Sequence, residues 1–155
     1  MERTTRPFQP QDLVALLNLM TQLGYEHCPD TLLNNVTRIR QSGGEVFVCE
    51  LEGLVSGCIC AIVDARLAEG VNGEIVSLIV AEHARNQGLG KALIEQAECW
   101  LSTRCDSIRV RSNLARERAH KFYHSMGYQL DKQQAVFTKL LYTNQQLHTT
   151  EREAV

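Results

Sequence analysis

Between residues 74 and 101 the spacing of apolar positions changes from two to three-and-four, and the rest of the chain is arranged around that change. Glu74-Ile75-Val76-Ser77-Leu78-Ile79-Val80 reads as a strand. After Arg85-Asn86-Gln87-Gly88-Leu89-Gly90, the residues Leu89, Ala92, Leu93, Ala97, Trp100 and Leu101 line one face of a helix, with Lys91, Glu95 and Glu98 off it. The pattern predicts a strand that feeds a glycine turn, which opens a helix.

Upstream, residues 3–8 read as a short opening strand. Pro10 and Asp12 introduce a helix with Leu13, Leu16, Leu17, Met20 and Leu23 on one face and Gly24 as its stop. Cys28-Pro29-Asp30 begins a second helix carrying Leu32, Leu33, Val36 and Ile39, which ends before Gly43-Gly44. From Glu45 the period is that of strands, 46–49 and 55–63, joined by a tight turn at Glu52-Gly53. A polar loop over 64–72 leads to the strand at Glu74, which shares an alternating face with Val76, Leu78 and Val80.

Downstream, Ser107-Ile108-Arg109-Val110-Arg111 alternates as a strand and completes a strand-helix-strand crossover, expected to be parallel and right-handed. Ala119, Phe122, Tyr123 and Met126 mark a helix over 116–126 stopped by Gly127, and 128–130 and 135–142 read as two closing strands. The expectation is one α/β (α+β) domain over residues 1–142, a mixed sheet of six or seven strands flanked by about four helices, with a polar, frayed tail over 143–155.

Composition narrows the function. A chain of 155 residues supports one core, and a net charge of −2 provides no electrostatic footprint for nucleic acid or an anionic membrane. The longest mostly apolar run, 54–63, is far short of the ~20 residues a spanning helix needs, and no apolar segment follows the N-terminal charges. A cytoplasmic location is expected. The six cysteines form no Cys-x-x-Cys pair and no Cys/His grouping at zinc spacing, so they read as small buried hydrophobes in a reducing compartment, and no metal site is expected.

The glycine turn carries the chemistry. The first turn of a helix leaves backbone N–H groups without intrahelical partners and concentrates positive dipole, which suits a diphosphate. Gly88 and Gly90 let the backbone approach phosphate oxygens, with Arg85 and Lys91 available at the rim. On these residues alone the turn is either an anion site or a plain helix start.

The order β-α-α-β-β-β-α-β-α-β-β, with Arg-x-x-Gly-x-Gly between the fourth strand and third helix, resembles the GNAT superfamily of acetyl-CoA-dependent N-acetyltransferases over roughly residues 3–142. Three matches carry the resemblance: Leu78-Ile79-Val80 followed by Arg85-Asn86-Gln87-Gly88-Leu89-Gly90-Lys91; Ala119-x-x-Phe122-Tyr123-x-x-x-Gly127-Tyr128; and Val136-Phe137-Thr138-Lys139. Arg116-x-x-Ala119-His120-x-Phe122-Tyr123 with Gly73-Glu74-Ile75 is similar to the branch containing aminoalkylphosphonate N-acetyltransferases and some aminoglycoside-modifying relatives. One departure stands out: many members have an asparagine seven residues before the helix tyrosine, where this chain has Arg116, and Asn113 lies ten before it.

The resemblance implies transfer of acetyl from acetyl-CoA to a primary amine of a small molecule, directly through a tetrahedral intermediate, by a protein that is commonly a homodimer. It implies coenzyme A on Leu78, Ile79 and Val80 and on the loop Arg85, Asn86, Gln87, Gly88, Leu89, Gly90 and Lys91, with Arg116 a further phosphate candidate. Tyr123 is implied as the acid that protonates the leaving thiolate. Glu74 is the candidate base for the substrate ammonium, directly or through water, or else a strand-end carboxylate in solvent or paired with an arginine. Tyr25, Glu26, His27 and Asp64 are candidates for the acceptor pocket. A protein or peptide N-acetyltransferase and a non-catalytic CoA-binding module are the alternatives.

Overall fold

A computed structural model of the chain describes residues 1–141. Its elements run β1 (Arg3–Pro7), a 3₁₀ turn (Pro10–Asp12), α1 (Leu13–Leu23), α2 (Pro29–Gln41), β2 (Glu45–Leu51), β3 (Leu54–Arg66), β4 (Gly70–Val80), a second 3₁₀ turn (Glu82–Ala84), α3 (Leu89–Leu101), β5 (Ile108–Val110) and α4 (Glu117–Ser125). They fall into two units, Met1–Arg111 with the sheet and α1 to α3, and Ser112 onward with α4.

The expected mixed fold is present, with strand order β1-β2-β3-β4-β5. The first four strands are antiparallel neighbours, and β5 joins β4 in parallel, as the crossover predicts. Local chemistry sets the ends of the elements. Gly24 closes α1 at φ 102°, and Pro29 opens α2 at a position where its missing N–H has no cost, with Asp30 in the first turn and Arg38 and Arg40 in the last. Glu52 and Gly53 both take positive φ, 50° and 79°, the twist a two-residue hairpin requires.

Two layers cover the sheet. On the α3 side a Cβ at Gly57 would lie 3.0 Å from Leu93 Cδ1, and a Cβ at Gly73 3.0 Å from the Leu101 methyls. Leu89, Leu93, Ile94, Ala97 and Leu101 of α3 are buried; Ile94 joins the predicted set, while Ala92 and Trp100 are half-buried. Trp100 meets Phe47 edge-on at 6.2 Å and carries the Arg104 guanidinium 3.9 Å over its face. The opposite face, with Val46, Val48, Cys58 and Cys60, packs under α1 and α2. Burying each large aliphatic side chain contributes about 1.5–3 kcal/mol relative to exposure.

Four expectations need correction. The predicted loop over 64–72 is strand: β3 and β4 stay paired to Arg66↔Gly70, because Arg66 on Asp64 (2.6 Å) and Arg109 on Glu69 (2.6 Å) hold charged side chains that apolar periodicity does not register. The predicted face of Glu74 is wrong. The register passes from Cys60↔Ser77 to Ala61↔Ile75, so Val76 is an extra residue in β4, a β-bulge that inverts the alternation. Glu74 opposes Ile62, Ser77 opposes Cys60 and Ile79 opposes Cys58, all on the α1/α2 side, whereas Ile75, Leu78 and Val80 oppose Ala61, Ile59 and Gly57 on the α3 side.

The closing strands are the third correction. Residues 128–130 and 135–141 form no strand, and among the described residues the sheet has five strands rather than six or seven. Val136 and Phe137 are 83% and 94% exposed; β-type residues do not order into a strand without ladder hydrogen bonds to offset the lost entropy. Tyr142 and the predicted tail lie outside the described residues. Fourth, the cysteines are not uniformly buried: Cys49, Cys58 and Cys60 are, but Cys28 and Cys99 are exposed, since each lies at or near a helix end facing away from the sheet core.

Candidate functional site

β4 and β5 pair only over Gly73–Ile75 against Ile108–Val110. Past the bulge at Val76, β4 has a strand partner on one side only among the described residues. The Ala81 N–H donates to the Ser56 carbonyl at 2.8 Å, and the Ile79 carbonyl lies 3.2 Å from where a Gly57 Cβ would be, so residues 79 and 81 turn their polar groups toward β3. Alternation then turns the N–H and C=O of Leu78 and Val80 to the open edge.

The open edge leads into the start of α3. Val80 is followed by Ala81, the turn Glu82–Ala84 and then Arg85, whose Nε donates back to the Val80 carbonyl at 3.3 Å. Asn86 at φ 61° and Gly88 at φ 82° both occupy the left-handed region, which Asn tolerates and Gly favours. Gly88 is the N-cap of α3 and has no side chain with which to cap it, so the first-turn N–H groups are left to another acceptor. Gln87 Nε2 donates to the His83 carbonyl at 3.2 Å. The Leu89 side chain is 1% exposed and packs into the core, so the group it has to offer a ligand is its first-turn backbone N–H. Arg85 and Lys91 stand exposed at the rim, Lys91 with a 3.8 Å contact to Glu95. The predicted stretches 78–80 and 85–91 thus follow one another as an open strand edge that leads through a 3₁₀ turn into an uncapped helix start.

Glu74 lies at the fork where β5 leaves β4. It is 8% exposed, and Arg111 Nε stands 2.8 Å from its Oε1. That contact is an ion pair by distance only; the groups are not aligned, and Oε1 is a buried oxygen with no hydrogen-bond partner among the described residues. Arg109, opposite Glu74 across the parallel pair, is engaged by Glu69 at 2.6 Å and Asp64 at 3.8 Å. Asp64 is therefore occupied by Arg66 and Arg109, while Tyr25 and His27 stack on each other with centroids 6.4 Å apart.

In the second unit, Tyr123 is half-buried on α4, with edge-on contacts to Phe122 (5.5 Å) and Tyr128 (6.1 Å). Burial raises its phenol above the usual value of 10.0, and the nearby Arg116 charge opposes that shift. Arg116 is the exposed N-cap residue of α4. Asn113 is committed locally, its Oδ1 accepting from the Ala115 N–H at 2.9 Å and its carbonyl contacting His120 Nε2 at 2.9 Å.

Two arginines at the site are not named by the sequence, although an arginine partner for Glu74 is one of the alternatives it offers. Arg111 against Glu74 was signalled only by the charged alternation Arg109, Arg111. Arg3, whose Nη1 donates to the Gln87 carbonyl at 2.9 Å, had no signal, because its partner is a backbone group 84 positions away. Among the thiols, burial pushes Cys58 and Cys60 up to about 12, which makes them poor nucleophiles, and no group of three or more His, Cys, Asp or Glu among the described residues could hold a metal ion. No helix among the described residues is long and apolar enough to cross a membrane.

A mixed sheet whose parallel pair opens beside the uncapped glycine start of a helix defines an α/β fold with an open strand edge next to a helix N-terminus. Residues 42–130, more than half of the chain, match the family model for the acetyltransferase (GNAT) domain, and the chain belongs to that family, which uses acetyl-CoA. Among curated relatives, an uncharacterized N-acetyltransferase of Methanocaldococcus jannaschii is 32% identical over 84 residues, 53% of this chain and 51% of the relative. The match thus spans about half the length of that relative. A Trypanosoma brucei acetyltransferase structure shares the fold at TM-score 0.75 and 23% identity, covering 89% of this chain and 100% of that one. The aminoglycoside N-acetyltransferase AAC(6')-Iy in complex with CoA shares it at TM-score 0.79 and 18% identity, over 89% of this chain and 95% of that one.

Proposed function

We propose that the chain is an N-acetyltransferase that moves acetyl from acetyl-CoA to a primary amine of a small molecule. The observation that carries this reading is the continuity of the open β4 edge at Leu78 and Val80 with the uncapped start of α3 at Gly88. Acetyl-CoA supplies the acetyl thioester. The pantetheine amides fit the open edge as an added strand would, and the diphosphate fits the first-turn N–H groups beyond Gly88, with Arg85 and Lys91 as charged partners; Arg116 is a phosphate candidate on the family resemblance alone. An open N–H in the 78–80 stretch serves the thioester carbonyl as negative charge develops on it.

Direct transfer needs a neutral amine, and Glu74 is the group that accepts the ammonium proton, directly or through one water. Its misaligned contact with Arg111 leaves hydrogen-bonding capacity on Oε1. Tyr123 is the acid for the leaving thiolate, and its raised phenol favours the protonated form that this role requires. The six free thiols accord with a reducing, cytoplasmic location. A homodimer, which the family resemblance implies, is read out by light scattering.

Calorimetry with acetyl-CoA tests the cofactor, and absence of binding by the folded protein would refute the reading. Thiol release across aminoalkylphosphonates, aminoglycosides, polyamines, amino acids and peptides tests the acceptor. Turnover confined to peptides would replace the small-molecule assignment with a peptide one, and binding without release for any amine would point to a non-catalytic module.

A further inference from the structure

β1 lays alternate side chains against α3. Thr5 Oγ1 donates to Gln96 Oε1 at 3.0 Å, and Arg3 Nη1 donates to the Gln87 carbonyl at 2.9 Å. The guanidinium lies directly on the turn, since a Cβ at Gly88 would collide with Arg3 Nη1. The Gln87 carbonyl and the Gly88 N–H belong to one planar trans peptide and point in opposite directions, so a donor that holds the carbonyl also aims the N–H. From these contacts we infer that Arg3 is a positioning residue for the cofactor loop: it pins the Gln87–Gly88 peptide against β1 and presents the Gly88 N–H away from that strand before the diphosphate arrives.

The inference rests on the coenzyme A reading above and concerns a residue outside the matched span of 42–130. Its test uses the full chain with Arg3→Met and Arg3→Lys. Amide hydrogen exchange over residues 87–91 of the ligand-free protein should speed up several-fold in Arg3→Met, and the Kd for acetyl-CoA should rise about tenfold, equivalent to ~1.4 kcal/mol. KM for acetyl-CoA should rise with it, while kcat falls far less. Arg3→Lys keeps a donor and should recover part of both effects. A melting temperature within a few degrees of the unaltered protein certifies the fold. Unchanged exchange and Kd in Arg3→Met, beside normal binding by the unaltered protein, overturns the inference alone. Full recovery by Lys with unchanged exchange also overturns it, because the residue would then act only as a charge. If the unaltered protein fails to bind acetyl-CoA, the proposed function falls and this inference falls with it.

Discussion

Two carboxylates are buried among the described residues, each beside an arginine, and the environments differ in how fully the carboxylate is hydrogen-bonded. At the β1 corner, Asp12 is 5% exposed and takes both arms of Arg6, at 2.7 and 2.9 Å, together with the Gln9 N–H at 2.9 Å. At the β4–β5 fork, Glu74 is 8% exposed; among the described residues its Oε1 has the unaligned contact from Arg111, itself 49% exposed, and no hydrogen bond, with the Arg109 charge nearby. A buried carboxylate that is fully hydrogen-bonded repays its desolvation and holds structure together. One left short of partners costs stability, and its presence in a fold points to chemistry.

That contrast should break first at Glu74. Glu74→Gln is expected to lower kcat/KM about 10²–10⁴-fold, the usual worth of a positioned acid or base, while the Kd for acetyl-CoA changes by less than about twofold and the melting temperature holds or rises. A protein that instead loses stability and keeps its turnover would make Glu74 a second Asp12. Tyr123→Phe should cost a similar factor. Because burial raises the phenol, the acid form persists to higher pH than in a free tyrosine, so the alkaline fall in kcat belongs above pH 10 and should be absent in the phenylalanine variant. A fall centred well below that, or one that survives the substitution, assigns the proton to another group.

The same distinction between met and unmet groups runs along the β4 backbone. Ile79 has its N–H on the β3 side, whereas Leu78 has its N–H on the open edge. Ile79→Pro removes a ladder bond and should cost about 3 kcal/mol or more, enough to show as a partly unfolded population in circular dichroism. Leu78→Pro spares the ladder, so the protein should stay folded while acetyl-CoA binding weakens at least about tenfold by calorimetry. Equal damage from both would mean that the edge at residue 78 is not open to a ligand.

Much of this was legible from residue type and spacing. The buried stripe of α3, the glycine stop of α1 at Gly24, the glycine turn that opens α3 at Gly88 and the parallel crossover all follow from period and glycine placement. The bulge at Val76 was not, because Ile75, Val76, Leu78, Ile79 and Val80 are apolar on both faces and carry no mark of parity. That single inserted residue moved Glu74 from one side of the sheet to the other. Arg3 and Arg111 escaped for a different reason: their partners, a backbone carbonyl and a carboxylate 37 positions away, leave no local trace. The closing segments 128–130 and 135–141 show the converse, strand-type composition that lacks a ladder.

The smallest effect belongs to the satisfied carboxylate. The Arg6 hydrogen bonds outweigh burial at Asp12 and hold its carboxyl below the usual 3.8. Well above pH 3.8 both folded and unfolded chains carry the ionised form, and the whole contribution is present. As pH falls through that value the unfolded chain takes up its proton first, so stability declines until the lowered folded value is passed. Asp12→Asn keeps an oxygen for the Gln9 N–H and removes the charge. It should cost about 1 kcal/mol at neutral pH, since Arg6 retains Glu50 at 2.5 Å, and the difference from the unaltered protein should shrink progressively in urea titrations as pH falls below 3.8. Its kcat/KM at neutral pH should match the unaltered protein. A turnover defect would erase the division between the two carboxylates, and a stability difference that persists undiminished at low pH would assign the loss to packing or capping in place of the ion pair.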